Sequence, residues 1–495
     1  MSEASALKRK TISGLFWTFS DLIMNQGIQV VIQVILARLL LPEDFGLIGM
    51  ITVVIAVSIS IMDSGFANAL IREKNVTQKD YSTVFYFNLI TSIVLYIIIF
   101  FSAPLISSFF AEERLIKILR ILALTLIINS FGLVQRTMLT KKINFKTQTK
   151  ISVIASVSSG IIGVIMAFIG FGVWSLVIRT LLMDLVQSIL LCTYNKWIPS
   201  LEFDINSFKK FFRFGWKLLV SGLINTLYNN VYYLIIGKGF SALELGYYTN
   251  ASKLKDTATQ SITSAIQKVS YPVLSNINTN DAKLKSSYKK ILKNASFIIF
   301  PVIIGLASVA NPLIKSLFGA KWIPSIIYFE ILCFEGMLYP IHAINLNVLQ
   351  VKGRSDLFLK LEIIKKAVSL IIIGIVVIFR LGIIYLLWGA VLNSYIAYFI
   401  NTYYTKNLIN YPVKEQLKDI IPSFVISAVM GLIVYLSGMI LHLNNIIILI
   451  IQVTIGIIIY VLLNKIIKSE ELATITNLLK NLLHRSKYLV SKFNN

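Results

Sequence analysis

Residues 446–464 read IIILIIQVTIGIIIYVLLN, an apolar run without a charged side chain. A helix needs about 20 such residues to cross the roughly 30 Å hydrocarbon core of a bilayer. Because the bilayer core offers no water to backbone N–H and C=O groups, a crossing run must satisfy them internally as a helix. This stretch therefore predicts a transmembrane helix, and similar runs recur throughout the 495 residues.

The composition agrees with residence in a membrane. Hydrophobic residues make up 56% of the chain and charged residues 14%, against roughly 25% charged residues in soluble domains. We predict an all-α integral membrane protein with about fourteen transmembrane helices of the length that a bilayer requires. The predicted spans lie near residues 14–40, 47–71, 84–106, 118–140, 151–171, 173–194, 215–236, 247–272, 294–318, 326–350, 357–379, 383–403, 420–441 and 446–464.

The 47 Lys and Arg residues are unevenly distributed. If the amino terminus is cytoplasmic, most of them fall in cytoplasmic loops, including the basic segments 141–150 and 283–293. This asymmetry follows the positive-inside rule and predicts that both termini lie in the cytoplasm. It also explains the net charge of +24 without nucleic acid as a partner.

Residues 247–272 read YYTNASKLKDTATQSITSAIQKVSYP and are too polar for hydropathy alone to place in a membrane. The positive-inside rule nevertheless predicts that they cross the membrane. If they did not, every later basic loop would lie on the outer side of the membrane instead of the cytoplasmic side. A polar helix is tolerated at membrane depth where it faces protein or a water-filled cavity. We therefore expect this segment to line such a cavity.

A shift of 200 residues superposes the first predicted span on the seventh, matching Asn25 with Asn225 and Gln29 with Asn229. Residues four apart lie on nearly the same helix face, so each span carries one polar stripe. Both spans run in the same direction, which predicts two parallel six-helix bundles around a central cavity, followed by two further helices. Alternatively, these amides only hydrogen-bond neighbouring helices.

The pattern divides the chain into four predicted parts. They are an N-terminal lobe at 1–200, a C-terminal lobe at 201–410, the last two transmembrane helices at 411–466 and a basic amphipathic tail at 467–495. We expect the tail to lie on the anionic inner leaflet. Binding to a partner protein is the alternative for the tail.

Charged side chains within predicted spans are the main functional signal, because each costs about 2.5–3.5 kcal/mol at a helix centre. The basic set and the amides predicted to line the cavity are Arg38, Arg136, Arg179, Lys253, Lys255, Lys268, Asn25, Gln29, Asn225 and Asn229. Arg38 and Arg136 lie near span ends, where snorkelling to the interface is the alternative. A net-positive cavity attracts a phosphate or diphosphate group.

Acids in the same spans are candidates for ion coupling, a role that ionisable residues fill in pumps. They are Asp21, Asp63, Asp256, Glu330 and Glu335. The expected coupling ion is H⁺ or Na⁺, and no metal or other cofactor is predicted.

Three patterns predict structure rather than transport. Lys365 and Lys366 follow Glu362 by three and four residues, the spacing of ion pairs within one helix. His342 is expected to be a hydrogen-bonded core residue. Small residues four apart predict a close packing seam of helices, formed by Ala155, Ser159, Gly163 and Ala167.

Four segments resemble the Wzx-type lipopolysaccharide and capsule oligosaccharide flippases. They are LARLLLPEDFGLIGM at 36–50, DSGFANALIREKN at 63–75, LGYYTNASKLKD at 245–256 and YPVLSNI at 271–277. The resemblance extends over nearly the whole chain in helix number and loop lengths. The superfamily also holds lipid II flippases and multidrug extruders.

This resemblance implies a flippase of the bacterial cytoplasmic membrane that passes a polyprenyl-diphosphate-linked oligosaccharide to the periplasmic leaflet by alternating access. By position, Arg38 and Gly46 match the motif after the first helix, Asp63 and Gly65 match the motif closing the second, and Arg136 matches the basic position that ends the fourth. The implied partners are membrane lipid, the lipid-linked oligosaccharide and polysaccharide assembly proteins.

Two other functions remain as alternatives. A membrane-embedded glycosyltransferase or polymerase would usually present a large external loop with catalytic acids or arginines, whereas the predicted external loops are short. No enzyme motif is present, since the three histidines are isolated and neither cysteine has metal-ligand spacing. A cation-coupled drug antiporter of the same fold would be expected to have a cavity of acids and aromatic residues.

Overall fold

The computed structural model describes residues 3–474 and residue 476, and their regular structure is helical throughout. Most of the predicted tail at 467–495 lies outside the described residues. The chain forms two compact units, Met1–Asn250 and Ala251–Asn495. The predicted lobes at 1–200 and 201–410 stay a prediction.

Helices in the first unit follow one another with short connections. They are α1 (Glu3–Leu39), α2 (Pro42–Asp63), α3 (Phe66–Arg72), α4 (Gln78–Phe110), α5 (Leu115–Leu122), α6 (Leu124–Lys141), α7 (Phe145–Phe168), α8 (Val173–Asn195), α9 (Ile205–Asn229), α10 (Val231–Gly239) and the start of α11 (Ala242–Asn276).

The second unit contains the rest of α11 and the helices that follow it. They are α12 (Asp281–Ser308), α13 (Ala310–Leu317), α14 (Ser325–Gly336), α15 (Tyr339–Val351), α16 (Ser355–Ile378), α17 (Ile383–Thr402), α18 (Thr405–Ile409), α19 (Val413–Ile440) and α20 (Asn445–Ile466). A short 3-10 turn at Ala320–Trp322 connects α13 to α14.

In the described part of the chain, 10 helices are long and apolar enough to cross a membrane. The chain is therefore a multi-pass membrane protein, and the predicted all-helical class is confirmed. The predicted number of about fourteen spans is not confirmed, because α1, the α9–α10 pair, α11 and α16 fall outside this set. The polar segment at 247–272 does form one continuous helix of 35 residues, α11.

Local sequence explains where several helices begin and bend. Thr77 and Asp80 form a reciprocal capping box at the start of α4, in which each side chain accepts a hydrogen bond from the other's backbone N–H. Between α2 and α3 the chain turns through two left-handed residues, Ser64 and Gly65, with φ of 45° and 71°. Gly65 also lies so close to Gly215 of α9 that a Cβ atom would meet the Gly215 carbonyl oxygen at 2.9 Å.

The first turns of α2 and α11 cross at two glycines. A Cβ atom at Gly46 would overlap the carbonyl oxygen of Ala242, and one at Gly246 would overlap the carbonyl oxygen of Pro42. Pro42 and Ala242 are separated by the same 200 residues as the two glycines. Each glycine thus contacts the residue that corresponds to its partner's contact after a shift of 200 residues, the same shift that relates the two predicted polar stripes.

The three structural predictions are confirmed. The small residues at 155, 159, 163 and 167 are all buried on α7, and a Cβ atom at Gly163 would lie 2.9 Å from the Arg179 Cβ of α8. His342 connects α15 to α17 through Ser394 and Asn401, at 3.3 Å each. Glu362 and Lys365 form an ion pair on α16.

Candidate functional site

The polar stripe of α1 faces other helices of the first unit. Asp21 Oδ1 accepts hydrogen bonds from Asn25 Nδ2 at 2.7 Å and from the Ser152 hydroxyl of α7 at 2.6 Å. The Ser156 hydroxyl donates to Asn25 Oδ1 at 2.9 Å. Asp21 and Asn25 thus join α1 to α7, the arrangement expected if the amides serve to hold helices together.

Further along α1 the same stripe reaches two more helices. Arg179 of α8 donates from Nη2 to Gln29 Oε1, and Gln33 donates to Asn250 Oδ1 of α11. Arg179 is partly buried and has no acid within ion-pair distance in the described residues. Its guanidinium therefore remains a positive charge held by a neutral amide.

A cavity of about 410 Å³ opens in the first unit between the end of α2, the start of α3 and the middle of α6 and α8. Its polar lining includes Asp63, Asn129, Arg136, Asp184 and Gln187. Asn129 Nδ2 donates to Asp184 Oδ2 at 3.0 Å, and Asp63 Oδ1 accepts from the backbone N–H of Ala67 at 3.3 Å. Arg136 has no ion pair within 4.0 Å among the described residues, although the Asp184 and Asp21 carboxylates lie within electrostatic range.

Two lysines anchor the segment that follows this cavity. Lys141 Nζ donates to the carbonyl oxygens of Leu70 and Glu73 at 3.3 and 2.5 Å. The ammonium of Lys210 lies 2.8 Å from the Glu73 carboxylate and holds the pKa of Glu73 below its usual value. The end of the motif at residues 63–75 is therefore held in two ways: Lys210 pairs with the Glu73 carboxylate, and Lys141 binds the backbone carbonyls of Leu70 and Glu73.

The second unit contains a buried cluster of charges on α11 and α14. Lys255 is 3% exposed, and its Nζ lies 2.8 Å from both Asp256 Oδ1 and Glu335 Oε2. The same ammonium lies 4.8 Å from the ring centroid of Tyr339, whose hydroxyl donates to Glu335. Gly336 makes room for the lysine, because a Cβ atom there would lie 2.7 Å from Lys255 Cδ.

The other predicted residues have different surroundings. Glu330 lines a different cavity, which lies in the second unit and does not include the Lys255 cluster. The exposed members of the predicted cationic and amide lining are Arg38, Arg136, Asn225, Asn229, Lys253 and Lys268.

Sequence reasoning missed several partners in these sites. Tyr339 follows Glu335 by one helical turn, a spacing that puts both on one face. Ser152 and Ser156 are likewise four residues apart on α7. Nothing in the sequence singles out Asn129.

Comparison with known proteins gives consistent results. Residues 35–327 match the family described as Polysaccharide biosynthesis protein. The teichuronic acid biosynthesis protein TuaB of Bacillus subtilis (strain 168) is 27% identical over 87% of this chain and 89% of its own length. The lipopolysaccharide biosynthesis protein WzxC of Escherichia coli (strain K12) is 26% identical over 80% of this chain and 81% of its own.

A solved structure shares the fold. The lipid II flippase MurJ in an inward closed conformation superposes with a TM-score of 0.74, covering 92% of this chain and 98% of that chain. The sequence identity is 17%. At this level the similarity concerns the arrangement of helices.

Proposed function

The chain belongs to the polysaccharide biosynthesis protein family, and on that basis we propose that it is a flippase for polyprenyl-diphosphate-linked oligosaccharide. It would move this lipid from the cytoplasmic to the periplasmic leaflet of the bacterial cytoplasmic membrane during synthesis of a surface polysaccharide. The observation that carries the proposal is the family match over residues 35–327.

Two further observations support it. TuaB is named for teichuronic acid biosynthesis and WzxC for lipopolysaccharide biosynthesis, and each matches at least 80% of this chain. MurJ, which shares the fold, is named a lipid II flippase. These similarities support a transport protein rather than a glycosyltransferase or polymerase, and the match to a polysaccharide family disfavours a drug antiporter.

The exposed cations are proposed to attract the diphosphate group. Arg136 lines a cavity, and Lys253 and Lys268 are exposed on the polar helix α11. Arginine and lysine form strong charge-assisted hydrogen bonds with phosphate oxygens. Arg38 and Arg179 are proposed to contribute to the same positive potential, and the exposed Asn225 and Asn229 to bind sugar hydroxyls.

Coupling to H⁺ or Na⁺ is proposed to use the partly buried acids. Glu335 and Asp256 share one ammonium, that of Lys255, so the three groups carry a formal excess of one negative charge. Taking up a cation there would neutralise the cluster. Asp21 and Asp63 are the corresponding candidates in the first unit.

We further propose the topology that the positive-inside rule indicates. The chain would cross the membrane about fourteen times, with α1, the α9–α10 pair, α11 and α16 also spanning and both termini in the cytoplasm. Residues 1–200 and 201–410 would be the lobes that alternate in access, and the tail at 467–495 would lie on the inner leaflet. Polysaccharide assembly proteins are proposed as further partners.

Removing the exposed charges should strongly reduce export. The variant Lys253→Gln/Lys268→Gln and the variant Arg136→Gln are each expected to lower surface polysaccharide at least about tenfold, because each hydrogen bond lost to a charged group is worth about 1.5–3 kcal/mol. The measurement is surface polysaccharide in cells whose own gene has been replaced by the variant, together with the amount of chain in the membrane.

The matched control is Lys117→Gln, which removes an exposed charge from α5, outside both α11 and the cavity that Arg136 lines. This variant should export normally. Normal export by Lys253→Gln/Lys268→Gln and by Arg136→Gln, at wild-type levels of membrane protein, would refute the assigned role of these cations.

A further inference from the structure

A second cavity, of about 280 Å³, lies at the end of the second unit where α19 turns into α20. Its lining comes from the last residue of α12, from α13 and α14, and from both sides of this turn. The main polar side chains are Asn311, Lys315, Glu330, Asn445 and Gln452. Helix α12 ends at Ser308, α19 ends at Ile440 and α20 begins at Asn445. In the topology proposed above, this part of the lining lies near the membrane surface, where lipid headgroups are.

The cavity contains one cation and one acid without ion-pair partners. Lys315 and Glu330 are both partly buried, and neither has an oppositely charged group within 4.0 Å among the described residues. Taking an unpaired charge out of water is unfavourable. A ligand with one negative and one positive group would satisfy both side chains.

Gln452 provides a second, independent observation at this cavity. Its side chain is 1% exposed and lines the cavity. The amide Nε2 donates to the Val434 carbonyl oxygen at 2.7 Å, whereas Oε1 accepts no hydrogen bond. Gly438 makes room for this amide, since a Cβ atom there would overlap it. A buried acceptor without a donor is unusual in a folded protein.

The rim of the cavity is apolar on the side of α19. Tyr435 and Met439 line it and are 46% and 60% exposed, and Ile440 beside them is 76% exposed. If α19 spans the membrane, as its length and hydropathy indicate, these exposed side chains are expected to face lipid. The occupant therefore has an apolar part next to its charged groups, as a phospholipid does and a free sugar does not.

We propose that this cavity binds the headgroup of a phosphatidylethanolamine-type lipid. Lys315 holds the phosphate, and the ammonium donates to Glu330 and to Gln452 Oε1. A phosphatidylcholine headgroup has the same charges but no N–H to donate, and a phosphatidylglycerol headgroup has no cation. In the topology proposed above, the bound lipid belongs to the outer leaflet, and Glu330 has a role other than ion coupling.

Native mass spectrometry of the purified full chain tests this with three lipids that differ only in headgroup. Phosphatidylethanolamine should bind at least about fivefold more tightly than phosphatidylcholine or phosphatidylglycerol. Glu330→Gln should abolish the preference over phosphatidylcholine, and Lys315→Gln should weaken phosphatidylethanolamine binding. The controls Glu113→Gln and Lys117→Gln change exposed charges outside the cavity and should bind like the unmodified chain.

Equal binding of phosphatidylethanolamine and phosphatidylcholine by the unmodified chain would overturn the proposal, even if a variant failed to fold. If soluble glycerophosphoethanolamine displaced the lipid at equal concentration, the acyl chains of the lipid would contribute nothing to binding. If a free saccharide displaced it, the cavity would be a carbohydrate site. Either displacement overturns it. Since no transport is measured, a chain that prefers phosphatidylethanolamine but flips no oligosaccharide would refute only the proposed function.

Discussion

Replacing Lys255 with methionine is expected to cause the largest loss of stability of any single charge removal in this protein. Lys255 is 3% exposed and is the one cation within 4.0 Å of Asp256 and Glu335 in the described residues. Without it, two partly buried carboxylates would remain next to each other with no cation between them. Removing one partner of a buried ion pair costs about 3–5 kcal/mol.

Thermal unfolding of the purified chain in detergent measures this effect. The matched control is Lys253→Met, which makes the same change two residues earlier on the same helix, where the side chain is exposed. This control should unfold close to the wild-type temperature, since exposed substitutions usually change stability by about 0.5 kcal/mol or less. Adding Glu335→Gln to Lys255→Met should restore part of the loss. Equal unfolding temperatures for Lys255→Met and Lys253→Met would contradict the buried cluster.

Replacing Gly46 with leucine is expected to have the second largest effect. The space that a side chain would need is occupied by the Ala242 carbonyl of α11, which is backbone and cannot rotate away. The two helices would have to separate, at a cost near the upper end of the about 1–3 kcal/mol seen for overpacking. Gly246→Leu should have a similar effect, because Gly246 faces the Pro42 carbonyl in the same way.

Both glycine variants are measured by their unfolding temperature and by surface polysaccharide in complemented cells, and both quantities should fall. Gly374→Leu is the control, because no atom lies within 4 Å of a Cβ at this position of α16. It should behave like wild type. Normal stability of Gly46→Leu would mean that α2 and α11 are not in contact at this crossing.

Long apolar runs are sufficient to predict the fold class, because the hydropathy of a run is summed over about 20 residues and does not depend on any one of them. The positive-inside rule predicts helix α11, although its own hydropathy argues against a membrane helix. The exact number of spans could not be obtained in this way, because α1, α9, α11 and α16 combine apolar and charged residues. Length and hydropathy alone therefore do not decide whether they cross.

The candidate site was only partly predictable, as the α1 stripe shows. Spacing put Asp21 and Asn25 on one helix face, but their partners are Ser152 and Ser156, more than 120 residues away in the sequence. Small hydroxyl residues are common on packed helices, so they carry little signal. Whether a polar face meets protein or water depends on the neighbouring helix.

Lys253 and Lys255 show a second limit. The sequence analysis predicts that both side chains line the same cavity. However, residues two apart on a helix point to nearly opposite sides. In the structure Lys255 is buried against α14 and Lys253 is exposed. Helical geometry separates the two lysines, but the choice of the buried one depends on Glu335, which is 80 residues away.

Translocation in proteoliposomes tests the proposed function most directly. The substrate is labelled polyprenyl-diphosphate-linked oligosaccharide extracted from cells in which the gene has been inactivated, and a membrane-impermeant glycosidase reports which sugars face outward. With the purified chain present, oligosaccharide initially protected on the inner leaflet should become cleavable, and the Arg136→Gln variant should slow this change. If the protected fraction stays at the level of protein-free liposomes while the chain is folded, the chain is not a flippase for this lipid.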